Sequence, residues 1–351
     1  MSLEKIPQTM RALVWKGSAA VELSEVPVPE VGPGQALVKM YYAGICSTDT
    51  EIITNHIAVS HPPQILGHEI FGRIAQVGPG SVTAFEVGQR VVIDTVVPCN
   101  SCAFCLSGKP EFCAVYREIG INMDGGWADY VLAPLTSLHH VPDAISDEEA
   151  ALIEPLVCPF GAVDTANIRM GDTVLILGTG PAGLIYTQLA RLRGAALVAC
   201  TGRMPERAEL AREFGADIVV ADTNIEELLQ LPLIRQFQGF DVIIDAVGSS
   251  ETIKQAVQMA HAGSKIVWYG LKSATVNDFP VHEVIFKNLT IIGKTNTPGV
   301  WDRAINLIAS GRLVLRPLLQ DIRTLEEIPA LLGKEEPGDL PIPIKRLIKF
   351  N

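Results

Sequence analysis

No basic block occurs anywhere along the 351 residues of this sequence. Its 28 Lys and Arg residues are outnumbered by 39 Asp and Glu, giving a net charge of −11. So acidic a chain is repelled by phosphate backbones, which argues against a nucleic-acid partner. A long unbroken apolar run is also missing. The most apolar region, 173–190, is interrupted by Gly178, Gly180, Pro181 and Gly183, so no membrane span is expected. The opening Met1-Ser2-Leu3-Glu4-Lys5 has no long apolar stretch, so no signal peptide is expected. Internal repeats and low-complexity tracts are absent. Cysteines number seven, an odd count in a chain far longer than small disulfide-framed secreted domains. These absences point to a cytoplasmic protein, and the length suggests about two domains.

What is present is ample core material, 48% of residues being hydrophobic. Four of the cysteines also cluster: Cys99, Cys102, Cys105 and Cys113 read C-x2-C-x2-C-x7-C. Thiolates at this spacing can wrap one tetrahedral zinc ion. Between them lie Asn100, Ser101, Ser107, Gly108, Lys109 and Pro110, which are loop formers. The spacing predicts a structural zinc lobe over residues 95–115. With all four positions filled by protein, such a site holds a loop and leaves chemistry to another place.

The first half reads as short strands with turn punctuation: Met10–Trp15, Ala36–Tyr41, Gly72–Val77, Arg90–Ile93 and Ala128–Ala133. This pattern suggests a barrel or sandwich. Near residue 150 the character changes. Ser146 with Glu149 fits a capping box, and apolar strands then alternate with helices. Strands are expected at Thr173–Leu177, Ala196–Cys200, Ile218–Val220, Asp241–Ile244, Lys265–Tyr269 and Leu289–Ile292. Helices are expected at Pro181–Arg193, before Gly194, and at Pro205–Phe214, before Gly215. The alternation predicts an α/β fold with a doubly wound parallel sheet. A last strand, Ile342–Ile348, should rejoin the first domain.

Gly178-Thr179-Gly180-Pro181-Ala182-Gly183 is G-x-G-x-x-G, placed directly after an apolar strand and opening a helix. In that context the glycines allow a tight turn and close approach to a pyrophosphate, which the helix N-terminus attracts. The following strand ends Thr201-Gly202-Arg203, without the carboxylate that usually bonds an NAD ribose. Gly202 leaves room, while Arg203 and Arg207 bring positive charge suited to a 2′-phosphate. NADP is therefore favoured over NAD.

A second metal group can be assembled from Cys46, His68, Glu69 and Glu154. Spacing alone does not decide it, because a single histidine or cysteine is more often a packed core residue. The wider pattern does. Gly67-His68-Glu69, the four-cysteine lobe, Gly125-Gly126-Trp127-Ala128-Asp129-Tyr130, the Gly178–Gly183 loop and Asp245-Ala246-Val247-Gly248 occur in one order. In these motifs the chain resembles the zinc-dependent medium-chain alcohol and polyol dehydrogenases over essentially its whole length.

The resemblance implies a GroES-like, mainly β catalytic domain over 1–154 and 297–351, with a Rossmann domain over 155–296. It implies two zinc ions per subunit, one catalytic and one structural. Cys46 and His68 would be ligands of the catalytic zinc, joined by Glu154 or Glu69, with Asp49 orienting His68. Thr48, with Ser47 beside it, would pass the alcohol proton toward solvent. Val247, Leu271 and Asn296 would line the cofactor site. The implied activity is hydride transfer between a secondary alcohol of a polyol, sugar or sugar acid and NAD(P). The alternatives are a reductase of simple ketones or aldehydes and a non-enzymatic zinc-binding protein. Asn296 stands where sorbitol-type enzymes carry arginine, which points toward sugar dehydrogenases. Cys158, four residues after Glu154, should share its helical face. Members of the family are commonly dimers or tetramers, so a homo-oligomer is expected.

Overall fold

The computed structural model describes residues 5–332 and 343–351. Met1–Glu4 of the opening and Ile342 of the expected last strand lie outside them. Contacts divide the chain into two compact units. One comprises Met1–Glu154, Trp301–Ala309 and Val314–Asn351; the other comprises Pro155–Val300 and Ser310–Leu313.

The first unit opens with eight strands: β1 (Thr9–Trp15), β2 (Val21–Pro27), β3 (Gln35–Gly44), β4 (Gln64–Ile65), β5 (Ile70–Val77), β6 (Arg90–Ile93), β7 (Tyr130–Pro134) and β8 (Leu138–His140). β1 lies between β2 and β4 in a small sheet. β3, buried along most of its length, organises the larger one. It pairs antiparallel with β5 on one edge and with β7 at Gln35–Lys39. Leu37, Met40, Ile70, Ile74, Val91 and Trp127 fill a common core in which each is at most 1% exposed.

The second unit contains β9 (Thr173–Leu177), β10 (Leu197–Thr201), β11 (Ile218–Val220), β12 (Phe240–Asp245), β13 (Ala260–Trp268) and β14 (Thr290–Gly293). Every pairing is parallel. The order β11-β10-β9-β12-β13-β14 reverses direction at β9. This is the doubly wound arrangement in which ligands meet the carboxyl ends of the strands at the reversal. β9 is buried at all five positions, which explains the apolar run Val174–Leu177 that follows Thr173.

The chain then returns to the first unit through β15 (Leu319–Thr324) and β16 (Lys345–Lys349). β16 sits between β15, parallel, and Tyr42–Gly44 of β3, antiparallel. This last strand is thus internal to the sheet, with backbone partners on both sides.

Several expected bounds shift by one to three residues, and two differences have a partner behind them. Only half of the capping box forms: Ser146 Oγ accepts from Glu149 N at 3.2 Å. The Glu149 carboxylate turns away to accept from Leu315 N at 2.9 Å and Arg316 N at 3.3 Å. It anchors the returning chain, a use that local sequence does not display. β13 begins at Ala260, five residues ahead of the expected Lys265, because Ala260 pairs with Phe240 across a register shift.

Candidate active site and metal centres

Cys46 precedes the helix Ser47–Ile53 at the end of β3, and His68 and Glu69 lie just before β5. The pairing of β3 with β5 therefore brings them together, Gly44 N donating to Glu69 O at 2.8 Å. Donor atoms of Cys46, His68 and Glu69 all fall within 4.8 Å of one another. His68 is 5% exposed and Glu69 1%. Asp49, fully buried, serves both ligand-bearing segments: Oδ2 accepts from Cys46 N at 2.9 Å, and Oδ1 lies 3.3 Å from His68 Nδ1. That contact leaves Nε2 of His68 for the metal side, the usual arrangement of a carboxylate behind a ligating imidazole.

Glu154 falls outside this triplet at that spacing but remains in the same electrostatic cluster. Burial pushes its carboxyl up to about 8; His68 opposes the shift, and Glu69 and Glu118 reinforce it. Burial would lower the His68 pKa, yet Asp49 and Cys46 hold it well above the ordinary value. Buried negative charge beside an imidazole is what a divalent cation would relieve. The buried Glu69 Oε2 has no hydrogen-bond partner, so the donor set fits a zinc ion. Thr48 Oγ1 lies 3.6 Å from Cys46 Sγ, with Ser47 adjacent and exposed.

In the lobe, Cys99, Cys102, Cys105 and Cys113 also converge within 4.8 Å. Cys102 N donates to Cys99 Sγ and Cys99 N to Cys113 Sγ, both at 3.3 Å. Hydrogen bonds from Ser101 and nearby backbone pull the Cys99 thiol down to about 6. Desolvation beside the other thiols pushes Cys105 up to about 12. Four thiols this close ionise together only around a cation, so this set also fits zinc.

In the second unit the glycine loop joins β9 to the helix Pro181–Leu192. Gly178 adopts φ +104°, and a Cβ there would strike Val247; a Cβ on Gly183 would strike the Gly178 carbonyl. Pro181 and Ala182 open the helix, whose first N–H groups face the loop. Asp245, at the end of β12, accepts from Val247 N at 3.0 Å and Gly248 N at 2.9 Å. These bonds hold Val247 against the loop. Leu271 is 70% exposed. Asn296 Oδ1 lies 3.9 Å from Cys158 Sγ, which places Cys158 on the Asn296 side of its helix.

At the tip of β10 the structure alters the sequence reading. The space beside Gly202 is taken by Thr179, whose side chain a Cβ on Gly202 would strike. The Arg203 side chain is 76% exposed, and its Nε lies 2.5 Å from Asp222 Oδ2. Arg207 is partly buried, and desolvation lowers its pKa from the ordinary value.

Three charged groups escaped the sequence reading. Asp222 follows β11 and reaches Arg203 through the β10–β11 pairing. Glu118, 8% exposed, is held by Thr95 and Tyr116. Lys345, at the start of β16, is ion-paired with Glu69 in the interior. Desolvation would lower its pKa, but Glu69 and Cys46 hold it above the ordinary value. A signal for Lys345 existed: it shares a strand face with the buried Leu347.

This fold and these donor sets define a zinc-binding dehydrogenase with a separate dinucleotide unit. Residues 32–143 match the alcohol dehydrogenase GroES-like domain and residues 181–310 the zinc-binding dehydrogenase domain. The chain is 31% identical over 326 residues to a sorbitol dehydrogenase of Halalkalibacterium halodurans, covering 91% of this chain and 94% of that one. It is 34% identical over 311 residues to an L-threonine 3-dehydrogenase of Pyrococcus abyssi, covering 87% and 88%. A zinc-binding dehydrogenase of Sinorhizobium meliloti, solved with NADP, superposes with a TM-score of 0.90 at 32% identity, covering 98% of this chain and all of that one. The chain belongs to the zinc-type medium-chain alcohol dehydrogenases and is an NAD(P)-linked alcohol oxidoreductase. No helix among the described residues is long and apolar enough to cross a membrane.

Proposed function

We propose that this enzyme interconverts a secondary alcohol of a polyol, sugar or sugar acid with its ketone, using zinc at Cys46, His68 and a carboxylate. The observation that carries this reading is the hard donor set. Glu69 stands within 4.8 Å of the Cys46 and His68 donors, and Glu154 is the next carboxylate in the cluster. Likeness to a sorbitol dehydrogenase supports the same substrate class.

Bound zinc would supply Lewis acidity toward the substrate oxygen, and the nicotinamide would exchange the hydride. Asp49 holds the imidazole of His68 in the tautomer that presents Nε2. Thr48, beside Cys46, takes the alcohol proton at Oγ1 and passes it outward, with Ser47 next in the path. The Gly178–Gly183 loop binds the pyrophosphate through backbone N–H groups. Cys99, Cys102, Cys105 and Cys113 hold a second, structural zinc.

NADP is the proposed cofactor, supported by the missing carboxylate at the tip of β10 and by the exposed guanidinium of Arg203. Asp222 then steadies Arg203 rather than bonding a ribose. A homo-oligomer, dimer or tetramer, is proposed on the exposed apolar side chains Val281, Ile285 and Phe286, which immediately precede edge strand β14. A cytoplasmic setting suits seven cysteines none of which is in a disulfide.

One spectrophotometric screen tests substrate and cofactor together: polyols, sugars, sugar acids, L-threonine and short aliphatic alcohols, each with NAD and NADP. Turnover confined to small aliphatic alcohols would defeat the polyol reading. The likeness to a threonine dehydrogenase makes a β-hydroxy amino acid the second reading, and preferential oxidation of L-threonine would establish it.

A further inference from the structure

Lys345 reaches the metal group from the far end of the chain. It is 5% exposed and has two partners: the Glu69 carboxylate at Oε1 and the Ile45 carbonyl at 3.1 Å. Each partner adjoins a proposed zinc ligand, Ile45 preceding Cys46 and Glu69 following His68. Glu69 is 1% exposed, and its second oxygen, Oε2, is buried without a hydrogen-bond partner. Gly44 makes room for that oxygen, since a Cβ there would overlap it.

A buried carboxylate oxygen that lacks a hydrogen-bond donor is stabilised in its charged form by a nearby cation. Two compete for Glu69: the ammonium of Lys345 and a metal between Cys46 and His68. If Glu69 ligates fully together with Glu154, the protein supplies four donors, and the site closes as the cysteine lobe does. We propose that Lys345 is a positioning residue that restrains Glu69, so that one coordination position stays open to substrate. The proposal rests on the reading of Cys46 and His68 as zinc ligands.

Lys345→Met keeps side-chain length and removes the charge. Glu69 then has only the metal as counter-ion, and zinc release from this site to a chromophoric chelator slows about tenfold, the effect of about 1.4 kcal/mol of added attraction. Turnover falls, and in the cobalt-substituted protein added substrate no longer shifts the visible absorption of this centre. Lys345→Arg restores the wild-type release rate and spectral response. Lys345→Met combined with Glu69→Gln releases zinc at least as fast as wild type, because the closing charge is gone; this double variant also removes the unpaired buried carboxylate that endangers folding of the single one. A merely structural lysine predicts the reverse, faster zinc release in Lys345→Met. Release at or above the wild-type rate in that variant, with one zinc lost in His68→Ala, overturns the Lys345 proposal alone. Full zinc content in His68→Ala overturns the site reading and this proposal with it.

Discussion

The two metal-binding groups are built in opposite ways. The lobe draws four identical donors from one short loop, Cys99 to Cys113, and only Cys113 is buried. The other group draws three different donors from two loops, with the buried Asp49, Glu118 and Lys345 and the half-buried Glu154 in the same electrostatic cluster. Four local thiols need little beyond the ion to define their geometry. A site with an open position cannot rely on the ion alone, so the protein must fix each donor from behind. Asp49 does this for Cys46 and His68 at once, and the β3–β5 pairing does it for the loops.

If this contrast is right, damage to the two groups separates cleanly. His68→Ala should lower kcat/KM by at least about a thousandfold in the protein that remains folded, the several kcal/mol that Lewis acidity contributes, whatever the change in melting temperature. Steady-state kinetics and a thermal melt on one sample measure both. Cys102→Ser should show the converse: a melting temperature lower by roughly 4–8 °C, about 2 kcal/mol for a domain of this size, and near wild-type kcat/KM in the protein that remains folded. A Cys102→Ser enzyme that is stable but inactive would break the comparison.

Smaller effects sharpen it. Arg203→Ala should raise KM for NADP about tenfold through loss of one charge-assisted contact, leaving KM for NAD unchanged. An equal change for both cofactors would remove Arg203 from the 2′-phosphate site. The smallest effect concerns Glu154, whose folded pKa of about 8 lies above that of an unfolded glutamate. Its contribution is fully present below the unfolded value and is lost as pH rises through about 8. Protein lacking metal at the Cys46 site should therefore melt lower at pH 8.5 than at pH 5, and Glu154→Gln should reduce that drop by roughly 2–4 °C. Zinc should reduce it too. Melts at the two pH values, with and without zinc, check this.

The regions legible in sequence were those whose structure is locally determined. Arg90–Ile93 and Thr173–Leu177 are strands with the expected bounds, because a fully buried strand is apolar at nearly every position. The cysteine spacing and the glycine loop carry their geometry within a few residues. What stayed hidden depends on partners distant in sequence. Glu149 looked like half of a capping box and instead binds backbone at 315 and 316. Arg203 looked free for phosphate and pairs with Asp222. Lys345 drew no reading: its strand alternation hints at burial, but nothing near it in sequence reveals a partner 276 residues away.

The place of β16 also has a consequence for synthesis. The dinucleotide unit is complete once residue 313 has been made, and it can fold from a nearly continuous segment. The first unit cannot finish its large sheet until Lys345–Lys349 has left the ribosome and slotted between β15 and β3. Contacts spanning the whole chain form late. The cysteine lobe can therefore capture its ion early in translation, whereas the Cys46 centre acquires its full surroundings only once Lys345–Lys349 has emerged. Deletion of the segment from Lys345 onward would spare the nucleotide unit and the lobe, yet remove the charge beside Glu69.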